Sequence, residues 1–165
     1  VKAAAPLAAQ LPLDTDSFTW AAWDIVGRQI AYSNYGSDLH LVDHTVACDR
    51  CLLPRELIAM KNPASNCVGK SALLASILRN RLPPEQVWVA IGQLVKNGET
   101  KGHAWVEVWG KDGWYVLEAT MPPGGWIPLS QVETIYRPEA LINDAGSRCV
   151  DPGQCLKVES CPCQA

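Results

Sequence analysis

Three side chains in this sequence have the types and the setting for covalent chemistry together: Cys67, His103 and Glu118. A cysteine thiolate is a strong nucleophile, an imidazole moves protons near neutral pH, and a carboxylate can hold that imidazole in one tautomer. Cys67 opens a run that is apolar at Val68, Ala72, Leu73, Leu74, Ala75, Ile77 and Leu78, which reads as a buried central helix. Only Lys70, Ser71, Ser76 and Arg79 are left to face water. Ser65 or Asn66 can cap the first turn, and Arg79 and Arg81 complement the far end before Pro83 and Pro84 stop it. Cys67 therefore stands within a residue or two of the helix start, where orphan N–H groups and the positive end of the dipole favour thiolate over thiol.

The other two residues sit on predicted strands. Val87 to Ile91, His103 to Trp109 and Trp114 to Glu118 are rich in branched and aromatic residues, with a hairpin signal at Asn97-Gly98 and a turn from Gly110 to Gly113. They read as three antiparallel strands. If the turn is a four-residue loop, Trp109 pairs with Trp114, Trp105 stands opposite Glu118, and His103 is the diagonal neighbour of Glu118. Such neighbours are roughly 7 to 8 Å apart at Cα, within reach of a glutamate and an imidazole. A change of two residues in the loop would keep both on one face, because the side-chain period is two. Glu107 shares the face and is the second acid to weigh, while Trp105 and Trp109 there would wall a cleft or fill the core.

Elements before and after frame this core. Phe18 to Tyr32 has a helical period behind the capping residues Asp14 to Ser17, although Gly27 interrupts it, and Pro54 opens a short helix through Met60. Ser130-Gln-Val-Glu133 has the form of a capping box for one more short helix through Tyr136. Gly69-Lys70-Ser71 lacks the earlier glycine and the preceding strand of a phosphate-binding loop, so nucleotide binding is not expected.

Asn66-Cys67 with Lys70 to Arg79, then His103-Ala-Trp-Val-Glu-Val108, then Gly113-Trp114 and Leu117-Glu-Ala-Thr120, resemble the core of the transglutaminase-like superfamily, in its bacterial-type cysteine peptidase form. The resemblance covers roughly Trp20 to Thr120. It implies an α+β, papain-like fold with the cysteine-bearing helix packed on an antiparallel sheet, and it carries the roles of nucleophile, base and orienting acid onto Cys67, His103 and Glu118. Glu118 replaces the aspartate usual in the family, and Val68-Gly69 replaces a common acidic or aromatic pair. The activity implied is a thiol hydrolase cleaving a peptide or side-chain amide through a thioester on Cys67. The alternatives are an acyl transferase forming amine crosslinks and a non-catalytic interaction domain of the same fold. Water is the expected acceptor, since no stretch clearly builds a shielded amine site. The substrate expected is a protein or peptide.

Length and composition set the remaining bounds. With 165 residues, 48% of them hydrophobic, the chain can bury one good core. The organisation expected is a linker or processed-leader remnant over 1–16, the transglutaminase-like domain over 17–137, and a cysteine-containing tail packed on it over 138–165. A net charge of -3 with no basic cluster points away from nucleic acid and anionic membranes, and no run has the length of a membrane span. Apart from Cys67, six cysteines remain at 48, 51, 149, 155, 161 and 163. They suit disulfides in a secreted or periplasmic protein, or a structural zinc held by Cys48 and Cys51 with His40, His44, Cys161 or Cys163 in a cytoplasmic one. Catalysis by a thiolate needs no cofactor.

Overall fold

The computed structural model describes residues 1–33 and 52–151, together with the backbone of 39–42, 45–48 and 157–158. In chain order the helices are α1 (Ala5–Ala8), α2 (Thr15–Gln29), α3 (Pro54–Ala59) and α4 (Cys67–Leu78). The strands are β1 (Ala31–Tyr32), β2 (Leu39–Val42), β3 (Thr45–Cys48), β4 (Ala64–Ser65), β5 (Val87–Lys96), β6 (Glu99–Trp109), β7 (Trp114–Leu117), β8 (Ile127–Pro128), β9 (Tyr136–Asn143), β10 (Gly146–Cys149) and β11 (Lys157–Val158). An antiparallel sheet of order β10-β9-β5-β6-β7-β8 forms the main layer. Against it lies α4, whose Leu73, Leu74, Ile77 and Leu78 share one core with Val87, Val89, Ala104, Val106 and Val108. Helix α2 adds Phe18, Ala22, Trp23 and Val26 to the same core.

The hairpins form where the sequence places them. Asn97 and Gly98 both take positive φ, 55° and 79°, the backbone that a two-residue turn between twisted strands demands. Trp109 pairs with Trp114 and Val106 with Leu117, so the expected register holds. Trp105 falls on the opposite face of the sheet from α4, in a second cluster with Ala90, Val116 and Leu141.

Several expectations are corrected. The capping box at Ser130 opens no α-helix: Leu129–Gln131 is a single 3-10 turn followed by turns into β9. Residues expected as tail, from 138 on, hold most of β9 and all of β10, and β9 pairs with the central strand β5 through Leu141 and Ala140. Pro138 and Glu139 disguise that strand, because the ladder is irregular between Ile91 and Gly92 and the proline sits at that irregularity. The first residues also pack: Ala4 and Ala8 are buried, and the Arg81 guanidinium donates to the carbonyls of Ala8, Leu11 and Pro12. Lys70 and Ser71 do not face water; they are 1% and 0% exposed, because α4 is enclosed on that side too by α2.

Gly27 is required where the sequence makes it look like a weakness of α2. A Cβ there would lie 2.4 Å from the Met121 carbonyl oxygen, in the loop that follows Glu118. Alanine in a helix normally gains about 1 kcal/mol over glycine, but forcing an atom against packed backbone costs roughly 1 to 3 kcal/mol. Gly27→Ala is therefore expected to lower the urea midpoint, against the helix-propensity trend, and a raised midpoint would contradict the close packing.

Candidate active site

Cys67 is the first residue of α4, and Asn66 is its cap. The Asn66 side-chain oxygen accepts from the N–H groups of Val68 at 3.1 Å and Gly69 at 3.2 Å. The Lys70 N–H then bonds the Asn66 carbonyl at 3.0 Å. Among the described residues the Cys67 N–H has no acceptor, so it remains a donor at the helix mouth. The thiol itself is free and buried, 6% exposed. Strand β4 leads into this cap and runs parallel to β1, with Ala31 beside Ala64 and Tyr32 beside Ser65, so the end of α2 and the start of α4 are tied together.

Lys70 strengthens the same tie. Its ammonium donates to the Ile30 carbonyl at 2.6 Å and reaches the Gly27 carbonyl at 3.5 Å, the orphan acceptors at the C-terminal end of α2. Burial pushes the Lys70 amine down, and the negative charge of Glu118 works in the opposite direction.

The structure brings His103 and Glu118 together as the register requires. His103 Nε2 and Glu118 Oε2 are 2.7 Å apart, just beyond the last paired residues of β6 and β7. Cys67 is His103's other interacting neighbour and, like Glu118, favours its protonated form. Burial alone would disfavour the imidazolium, yet Cys67 and Glu118 together outweigh it and raise His103 from 6.5 to about 9. Glu118 is 5% exposed; burial would raise its carboxyl, and His103 and Thr120 together hold it below the ordinary range. Its Oε1 accepts from the Thr120 N–H at 3.0 Å and the Thr120 hydroxyl at 2.6 Å, and Oε2 accepts from the Tyr136 hydroxyl at 3.2 Å. Trp23 Nε1 donates to the Glu118 carbonyl at 2.9 Å, fixing the backbone at the same residue.

Glu107, the second acid on that face, is engaged elsewhere. Its Oε1 accepts from Trp105 Nε1 at 3.1 Å, and burial raises its carboxyl against the lowering effects of Trp105 and Arg148. Trp105 stacks beside the His103 ring with centroids 6.2 Å apart and meets Tyr136 edge-on at 5.2 Å.

The sequence reading missed Thr120, Tyr136, Lys70 and the glycine opposite His103. A hydroxyl two residues after a buried acid is a local signal that could have identified Thr120. A buried tryptophan needing an acceptor could likewise have directed attention from Trp23 to a distant carbonyl. Nothing local marks Tyr136. Gly92 pairs with His103, and a Cβ on it would come within 2.1 Å of the Arg137 carbonyl oxygen, so β9 can close on β5 at this point only beside glycine.

The weak metal candidates Cys48 and Cys51 have side chains outside the described residues, as do His40 and His44. Among the described residues no three His, Cys, Asp or Glu side chains gather as a metal site. Cys149 is disulfide-bonded. No described helix is long and apolar enough to cross a membrane.

No family model matches the chain, and no curated protein does. Solved structures do: EGTA-treated LapG of Legionella pneumophila superposes with a TM-score of 0.56 at 14% identity, covering 91% of this chain and 85% of that one. The calcium-bound form of LapG gives 0.55 at 13%, covering 96% and 93%. This is a papain-like, transglutaminase-like fold. At such identity the likeness is one of backbone, and the chemistry must come from the side chains described above.

Two expectations follow from this geometry. His103 in the folded protein should titrate near pH 9 by imidazole NMR. Because its folded value is raised, the stability it contributes is fully present below about pH 6.5 and is lost as pH rises through about 9. Denaturant midpoints measured across that window should fall toward the alkaline end, and His103→Gln should flatten the decline. Intact mass should increase by at least two hydrogen atoms on denaturing reduction, for the Cys149 bridge, and Cys67 should react with a thiol reagent in the unreduced unfolded chain.

Proposed function

We propose that the protein is a thiol hydrolase that cleaves an amide of a protein or peptide through a thioester on Cys67. The observation that carries the reading is the His103–Glu118 pair at 2.7 Å, with Cys67 at the start of α4 acting on the same imidazole. The backbone likeness to LapG supports it at the level of architecture.

The steps follow from the geometry. His103 is protonated at neutral pH, and the reactive form of the pair sets the Cys67 sulfur, as a thiolate, beside that imidazolium. The sulfur attacks the amide carbon, and the oxygen takes up negative charge near the unoccupied Cys67 N–H, one donor of an oxyanion hole. As the C–N bond breaks, His103 gives its proton to the leaving nitrogen, leaving a thioester and a free amine. Neutral His103 then takes a proton from water, whose oxygen attacks the thioester; the acid departs and the thiolate–imidazolium pair returns. Glu118 keeps the ring oriented throughout and stabilises the imidazolium. Its four donors keep it ionised and immobile.

Glutamate serves here in the position where the family has aspartate. The longer side chain starts just past the end of β7, and Thr120, Tyr136 and the Trp23 bond to its backbone hold it there.

Iodoacetamide at slightly acidic pH should label Cys67 rapidly, as peptide mapping would show, and His103→Ala should slow that labelling. With a peptide library, cleaved or deamidated products should appear and vanish on Cys67→Ala, and Glu118→Gln should lower kcat/KM by on the order of 10⁴-fold, as for orienting acids elsewhere. Amide turnover should fall as pH rises through about 9, when His103 loses the proton it must donate, while alkylation should not fall. Efficient incorporation of a labelled amine with little hydrolysis would make the protein a transferase, and absence of any turnover would make it a binding domain.

A further inference from the structure

A cavity of ≈ 630 Å³ opens beside the proposed site. His103 and Glu118 form part of its wall, and among the described residues Cys67 does not. Lys96 and Asn97 stand at one edge of the wall, and the rest is mostly apolar, with Leu94, Met121, Ile127, Val132 and Ile135 contributed by β5 and by the segments that follow β7. Met121 and Ile135 are 56% and 39% exposed. An open, largely apolar concavity touching the His103 imidazole is a setting for one end of a substrate.

The direction of the reaction says which end. Cys67 retains the acyl half of a cleaved amide, whereas His103 delivers its proton to the departing nitrogen, so the amine half lies on the His103 side. We propose that this cavity receives the residue on the amine side of the scissile bond and selects a large apolar side chain there. The inference rests on the thioester reading above. Its occupant is set by continuity with His103 and by the apolar lining. The same pocket would hold an incoming amine if an amine replaced water.

This pocket can be tested without knowing the acyl half of the natural substrate. p-Nitrophenyl acetate acylates a reactive thiolate: the sulfur–carbon bond forms, the carbon–oxygen bond breaks, and p-nitrophenolate leaves. An added amino-acid amide then attacks the acetyl-enzyme, forming an N-acetyl product and restoring the thiol, in competition with water. Leucinamide and phenylalaninamide should intercept the acetyl-enzyme at about tenfold lower concentration than glycinamide or aspartamide, each normalised to its reaction with an acetyl thioester in solution. On Ile135→Asp and on Met121→Asp the preference should shrink toward one. The ratio is measured within one preparation, so it does not depend on how much enzyme is active, and both positions are exposed enough to tolerate aspartate. Equal interception by all four amides in the wild type, or a preference unchanged in both variants, would overturn the pocket assignment while leaving the thioester intact. A burst of p-nitrophenolate that is absent, or that survives Cys67→Ala, would overturn the thioester reading and the pocket with it.

Discussion

The carboxylate of Glu118 is the group that the rest of the structure must satisfy. An ion this deeply buried is costly unless donors surround it, and the fold brings them from separate stretches of chain: His103 from β6, Thr120 from the loop after β7, and Tyr136 from the start of β9. Trp23 from α2 fixes the backbone beneath. Meeting these contacts brings α2 close to the loop after Glu118, which is why Gly27 has no room for a side chain. It also determines the imidazole's protonation, since a held carboxylate favours a charged partner.

The helix bearing Cys67 is located by a different set of forces. Its apolar side chains fill the core between α2 and the sheet, its first turn is capped by Asn66, and Lys70 joins it to the last carbonyls of α2. A buried ammonium satisfied by backbone oxygens fixes two helix ends relative to each other more specifically than apolar contact does. Because Lys70 is one turn from Cys67, that fixed point lies close to the sulfur.

Much of this was legible from the residues. The helix start at Cys67 follows from Asn66 and the apolar run behind it, and the meeting of His103 with Glu118 follows from a two-residue side-chain period and the length of the Gly110 to Gly113 turn. The cases that failed share a cause. Lys70 and Ser71 looked solvated because polarity is a local property, whereas enclosure by α2 depends on residues some forty positions away. β9 looked like tail because Pro138 breaks the strand pattern at the very point where the ladder is irregular. The Ser130 capping signal is satisfied by a single tight turn, since the chain must reach β9 and cannot extend a helix. Tyr136 could not be found from neighbours at all, because its partner is a carboxylate reached only once the sheet has closed.

The contacts around Glu118 join positions 23, 103, 118, 120 and 136, and the cysteine that His103 meets is at 67. No short fragment of the chain contains the whole arrangement, and the sheet that aligns it pairs β9 with β5 across a long stretch of intervening sequence. Loops of that length close late, after local helices and hairpins have formed. During synthesis, then, Cys67 emerges well before His103, Glu118 and Tyr136. The Cys67 sulfur gains His103 as a neighbour only once β6 has packed on α4, and Glu118 gains its Tyr136 donor only once β9 has joined β5.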